Sequence, residues 1–267
     1  MRSAWLVAGA VATVIALTLS TVTLWRVFAQ ARTPRDVTLR SIPFDGDSVR
    51  VKAGKGQVAL SVLPGKAGEL LVERSLRWDR DRPKVTEDWN PASGTLLLDA
   101  VCPGSDQPDG PLCQADYTLF LPPETDLEAS TRGGRITVHE LFGDVRLTSV
   151  SGDVDVREVS GDVWARTGTG SVDADGLTGK KADVEVGSGD VELMFAVTPS
   201  QVKAVVRTSG NVAVNVPPQA RAGTDGAHAY NVTVSGTNTT VDVPQREDAK
   251  RTIVATTEDG IVTVCCQ

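Results

Sequence analysis

Ser151-Gly152-Asp153-Val154-Asp155-Val156 is the stretch on which the fold turns. In an extended strand Val154 and Val156 point to one face and Asp155 to the other. The pattern recurs around it. Gly134, Gly143, Gly152, Gly161, Gly170 and Gly179 stand nine residues apart. Two residues beyond the first five lie Ile136, Val145, Val154, Val163 and Val172. Two further on lie Val138, Leu147, Val156, Ala165 and Ala174. The unit Gly-x-Φ-x-Φ (Φ, apolar) returns less regularly at Gly189, Gly210 and Gly260. A strand of about five residues cannot bury its apolar face alone, but copies stacked at ~4.8 Å share one core. Glycine permits a tight corner between copies, including φ > 0. Half-rungs of this length make full rungs of about eighteen residues. The reading is therefore all-β: stacked strand repeats, β-solenoid or β-roll-like. An antiparallel sandwich with coincidental glycine spacing is the competing reading. No segment after residue 30 has helical periodicity.

The same alternation assigns the outward positions. Asp155, Asp173 and Glu192 are expected to stack on one sheet face, where like charges at strand spacing repel. Trp164 is expected on the opposite face. These four residues form the candidate binding surface, to be weighed against ordinary hydrated strand positions and an incidental surface tryptophan.

Ahead of the repeats, residues 37–130 read as a β-rich part of the same domain, with the repeat region over 131–267. Asp47–Ala53, Gln57–Val62, Glu69–Leu76, Thr95–Val101 and Gln114–Pro122 read as strands. Asp81-Arg82-Pro83 and Trp89–Gly94 read as turns. Residues 26–36 read as a polar linker. Ala4 to Leu24 carries neither charge nor proline and as a helix would span roughly 30 Å, the thickness of a hydrocarbon core. Residues 4–25 are thus expected to be a transmembrane anchor, with 1–3 as a short cytoplasmic end. Ala29-Gln30-Ala31 offers a signal-peptide cleavage site as the alternative. Arg26, Arg32 and Arg35 after the segment, against Arg2 before it, favour a cytoplasmic domain. Cys102 and Cys113 favour the outside. They bracket a short loop with no metal-like CxxC pair nearby, so a disulfide in an oxidising compartment is expected. The cysteines outweigh a small charge difference, so the expected location is the cell membrane with the β-domain extracellular.

Composition narrows the chemistry. The chain has 267 residues and a net charge of −7, with 25 glycines and only 4% aromatics. No basic cluster exists to neutralise phosphates, which argues against nucleic acid. His139 and His228 leave little for general-base or zinc chemistry. Gly46-Asp47-Ser48 with Asp225-Gly226-Ala227-His228 resembles the Ser and Asp-x-x-His blocks of GDSL esterases. Ser48 would attack, His228 take its proton and Asp225 orient the imidazole. Those enzymes are α/β, however, and Gly46-Asp47-Ser48 also reads as a hairpin turn. The nonapeptide glycines invite comparison with calcium rolls, whose Gly-Gly-x-Gly-x-Asp pattern is missing here. Asp144, Asp153, Asp162 and Asp190 directly follow glycine and read as solvated turn carboxylates. Asp173-Ala174-Asp175-Gly176 resembles the start of an EF-hand loop, but its twelfth position is Val184. Asn231-Val232-Thr233 and Asn238-Thr239-Thr240 match glycosylation sequons and read as polar strand residues.

Ser-Gly-Asp-Val repeats after a membrane anchor resemble the bacterial adhesin-like family of β-strand-repeat domains, a domain of unknown function numbered 4097. Val101-Cys102-Pro103, Cys113 and Asp116-Tyr117-Thr118-Leu119-Phe120-Leu121-Pro122 resemble actinobacterial members of it. The resemblance spans residues 37–267 and brings no catalytic residues. The Cys265-Cys266 pair departs from it; free thiols or an intermolecular link are expected there. The resulting expectation is a non-enzymatic, cofactor-free module that is anchored in the envelope and binds a cell-wall polymer or an envelope protein. An envelope-stress sensor working with a membrane partner is the alternative, and the esterase a distant one. Oligomeric state is left open.

Overall fold

The computed structural model describes residues 13–25, 34–54, 58–104, 113–217 and 229–266, the side chain of Cys266 excepted. The chain runs through strands β1 (Arg35–Pro43), β2 (Ser48–Ala53), β3 (Val58–Pro64), β4 (Glu69–Trp78), β5 (Lys84–Asn90), β6 (Thr95–Val101) and β7 (Cys113–Leu121). The repeat region supplies β8 (Asp126–Gly133), β9 (Ile136–His139), β10 (Val145–Ser151), β11 (Val154–Arg157), β12 (Val163–Thr169), β13 (Val172–Leu177) and β14 (Lys181–Ser188). After these come β15 (Val191–Phe195), β16 (Gln201–Ser209), β17 (Val212–Val216), β18 (Tyr230–Ser235), β19 (Asn238–Val241), β20 (Arg251–Asp259) and β21 (Ile261–Cys266).

Alternation sorts these strands into two sheets. One is 11-stranded in the order β1-β4-β7-β3-β9-β11-β13-β15-β17-β21-β19, and the other 10-stranded in the order β18-β20-β16-β14-β12-β10-β8-β2-β6-β5. Each rung crosses from the smaller sheet to the larger. Rungs stack parallel and in register: Val145 opposite Val163, and Val154 opposite Val172. Val154 and Val163, at 1% and 3% exposure, belong to one core. Both sheets continue without a break from β2 and β3 into β8 and β9, so residues before and after 130 share one stack.

Neighbours in space are not always neighbours in sequence. At one end β2 and β3 lie between the β6/β7 rung and the β8/β9 rung, although β6 and β7 come later in the chain. At the other end β20 and β21 lie between the β16/β17 and β18/β19 rungs. Beyond β7 and β6, the strands β4, β1 and β5 pair antiparallel and finish the stack. Cys102 and Cys113 form the expected disulfide, Cα atoms 5.9 Å apart, where the chain passes from β6 to β7.

The glycine column has two physical reasons. Gly152 has φ +145°, and a Cβ there would lie 2.3 Å from the carbonyl oxygen of Gly134. Gly161 lies outside the left-handed region, yet its Cβ would lie 2.1 Å from the carbonyl oxygen of Gly143. The expectation of φ > 0 holds at one corner; at the other, closeness of successive rungs excludes a side chain. A third column is left-handed without glycine at two of its levels: Glu140 and Glu158 at φ 53° and 54°, and Gly176 at 69°.

The linker expected over 26–36 ends earlier. Arg35 and Asp36 already pair with Arg77 and Leu76 in β1, and Asp36 is held by ion pairs to Arg74 and Arg82. β1 and β5 were not expected. In β1 the inward positions Asp36 and Thr38 are polar, while Val37 and Leu39 are exposed. β5 runs through Trp89 and Asn90, where a turn was expected. Of the expected membrane span, residues 13–25 are described and are helical, with Val14, Leu17, Leu19 and Trp25 exposed. No helix among the described residues is long and apolar enough to cross a membrane. The other residues of the span, and residues 1–3 ahead of it, lie outside the described residues.

Candidate functional site

The Asp of Ser-Gly-Asp-Val has a structural task. Asp126 Oδ1 accepts the backbone N–H of Asp144 at 2.7 Å, and Asp144 Oδ1 that of Asp162 at 2.8 Å. Asp162 Oδ1 then accepts the N–H of Lys181 at 3.0 Å. The opposite corner repeats the device. Asp153 accepts from Ser171, Ser171 Oγ from Asp190, Asp190 from Asn211, and Asn211 from Ile261. Each side chain caps a donor one rung on, at a corner where the ladder would leave it unpaired. The N–H of Ser171, helped by Arg135, holds Asp153 below the usual carboxylate range against the opposing effect of burial. These aspartates were expected to be solvated turn groups; they are inter-rung clamps.

The two broad faces differ. On the larger sheet Asp155 lies opposite Asp173, and Asp173 opposite Glu192, as the alternation predicts. Arg157 pairs with Asp155 at 2.9 Å. Burial first, and then the Asp155 charge, push Asp173 above the usual carboxylate range. Among the described residues no group of three or more His, Cys, Asp or Glu is arranged to hold a metal ion.

On the smaller sheet Trp164 sits in the register column Arg50-Glu128-Arg146-Trp164-Asp183-Lys203. It is half-buried, not a lone exposed ring. The Arg146 and Arg166 guanidiniums lie 4.3 and 4.4 Å from its centroid, a doubled cation–π contact. Arg166 is two residues along the strand and Arg146 one rung back, the spacing by which sequence could have found them. Arg166 also pairs with Asp183 at 2.9 Å and Glu185 at 3.5 Å, and Lys203 with Asp183 at 3.7 Å. The Arg207 hydrogen bond holds Glu185 below the usual carboxylate range. Beside the ring runs an open groove of about 290 Å3, lined by Arg146, Asp162, Trp164, Lys181, Asp183 and Lys203, among others. Arg146 is exposed and makes no ion pair among the described residues. The groove therefore presents a fixed aromatic edge and hydrogen-bonding charges of both signs.

Ser48 opens β2 opposite Asp126. Asp225 and His228 lie outside the described residues. Asp173, Ala174, Asp175 and Gly176 lie within β13 and not in a loop. Asn231 donates to the Glu247 carbonyl at 2.8 Å, and the Cys265 thiol to Asn215 Oδ1 at 2.9 Å.

The family described as Toastrack DUF4097 matches residues 114–264, more than half of the chain. The chain belongs to this family. The Toastrack match begins at Gln114 inside β7, so β1 to β6 precede it while sharing both of its sheets. Solved structures similar to this Toastrack chain include a putative adhesin from Bacteroides fragilis, 13% identical, TM-score 0.47, covering 87% of this chain and 97% of its own. A putative cell adhesion protein from Clostridium sporogenes is 11% identical, TM-score 0.41, covering 88% and 100%. A putative adhesin from Parabacteroides distasonis is 12% identical, TM-score 0.40, covering 87% and 97%. No curated protein matches.

Proposed function

We propose that this chain is a non-catalytic binding module of the cell envelope, tethered by its N-terminal segment with the β-domain outside the cell. Its contact surface is the Trp164 face of the smaller sheet, and its ligand is a cell-wall polymer or an envelope protein. The observation that carries this reading is the Arg146–Trp164–Arg166 cluster beside the mixed-charge groove. Its groups stand on paired strands and not on loops, so little ordering entropy is lost on binding. The disulfide supports an oxidising, extracytoplasmic setting.

Co-sedimentation of the purified chain with cell-wall and membrane fractions tests the surface. Arg146→Ala is expected to lower the retained fraction at least about tenfold, the loss of about 1.4 kcal/mol. The melting temperature should fall by a few degrees at most, since Arg146 is exposed and gives up only a surface cation–π contact. Retention unaltered by Arg146→Ala and by Trp164→Thr would overturn the surface. Protease added to intact protoplasts should digest the β-domain; protection until lysis would overturn the location.

A further inference from the structure

We infer that the β18/β19 end of the stack is a two-fold contact with a second copy of this chain. Among the described residues β18 and β19 are the last strands of the two sheets, at the same end. By the described residues only the start of β18 is covered: the Tyr230 N–H donates to the Pro244 carbonyl, and Gln245 forms an isolated bridge to Tyr230. Val232, Val234 and Val241 occupy core columns but are only half-buried. Thr239 is in register with Val262, which is fully buried, yet Thr239 itself is exposed.

The composition of this end says what fits it. Residues 230–241 carry no charge in a chain whose net charge is −7. They contain no lysine, no proline and no inward charge, the devices that keep an edge from pairing. A single added peptide strand could complete one sheet and would leave the other edge and the core end open. The occupant must present two edges at the ~10 Å sheet separation with an apolar layer between them. The chain's own end is such an object. Within a rung the two strands run in opposite directions, so a two-fold axis across the stack axis sets the end strands of two copies antiparallel. Both sheets then continue at once, and the contact closes. Val232, Val234, Thr239 and Val241 become core. The inference does not depend on the Trp164 face, which lies on the side of the stack.

Light scattering of the full-length chain in mild detergent, across a dilution series, tests it. The protein mass should be twice 28.2 kDa at the concentrated end. Thr239→Lys, at a position exposed in the single chain, should give 28.2 kDa throughout with unchanged circular dichroism. Thr137→Lys, on the broad face of the larger sheet, should leave the pairing intact. A single-chain mass at every concentration, or equal behaviour of the two lysine variants, would overturn the inference. Should Thr239→Lys disturb folding, hydrogen exchange of the unaltered chain decides. The amides of Val232–Ser235 and Asn238–Val241 must gain protection with concentration, and no gain overturns the contact.

Discussion

At the β1/β5 end, the last strands turn antiparallel and carry Arg35, Asp36, Arg40, Lys84, Glu87 and Asp88; at the β18/β19 end, they stay parallel and carry no charge. The first end also places an ion pair inside. Arg74 on the larger sheet reaches Glu87 on the smaller at 2.6 Å, with side chains only 12% and 15% exposed. Phe44 packs edge-to-face on Trp89. A stack of identical rungs has no intrinsic stopping point, because every rung offers the next the same ladder. One end is stopped by reversing strand direction and by inward charge. The other retains the chemistry of an interior rung, which is why a second copy fits there.

The contrast can be broken first at the middle, which both ends take as their template. Gly152→Ala should cost about 3 kcal/mol or more, because φ > 0 and the Gly134 carbonyl both oppose the methyl. A denaturation midpoint near that of the unaltered chain would mean that successive rungs can separate freely.

At the closed end, Glu87→Ala leaves Arg74 facing inward with Asp36, at 3.6 Å, as its remaining ion-pair partner among the described residues. The loss should be about 3 kcal/mol, the usual cost of leaving one partner of a largely buried pair. Thr239→Ala at the open end should change the stability of the dissociated chain by less than about 0.5 kcal/mol. Equal losses at the two positions, in denaturant titrations of dilute protein, would erase the distinction between the ends.

The smallest effect concerns two tyrosines. Tyr117, near one end, is buried beside Glu87 and Arg74, and Tyr230, near the other, buries a hydroxyl without a hydrogen-bond partner among the described residues. Burial raises both, Tyr230 to about 12 and Tyr117 further. Unfolded tyrosine ionises near pH 10. Between about 10 and 12 the unfolded chain therefore holds fewer protons than the native one, and stability falls as pH rises. Tyr230→Phe should leave stability unchanged or slightly higher at neutral pH and make the alkaline decline shallower. An unaltered alkaline profile would show that Tyr230 ionises natively as it does unfolded.

Much of this architecture was legible because alternation and the glycine period are local signals. The inward valines and the acidic column of Asp155, Asp173 and Glu192 follow from them, while the Cys102–Cys113 bridge follows from the short loop those cysteines bracket. β1 was hidden because it inverts the rule: its apolar Val37 and Leu39 face out and its polar Asp36 and Thr38 face in. The clamps were hidden for a different reason. Asp144 acts on the residue one full rung later, so its role shows only when the repeat is read at rung length. The partners of Trp164 divide the same way: Arg166 is local, and Arg146 is a rung distant. The order of rungs at each end has no local signature, since β20 and β21 carry the same alternating pattern wherever they insert.

That order imposes a schedule on folding. As the chain emerges, the rungs from β8 through β17 can add one after another, each closing on the last. β18 and β19 then have no finished surface to close on, because their neighbours β20 and β21 have yet to appear. The last residues enter a slot whose far wall belongs to earlier ones, and must form both sheets' missing ladders together. Maturation of this half is thus a final all-or-none insertion rather than a zipper. A chain halted during synthesis shortly before residue 251 would keep a sound amino-terminal stack, with its last rung unattached and its β17 edge unpaired. Such a chain would be recognisable to proteases and prone to pair with strangers.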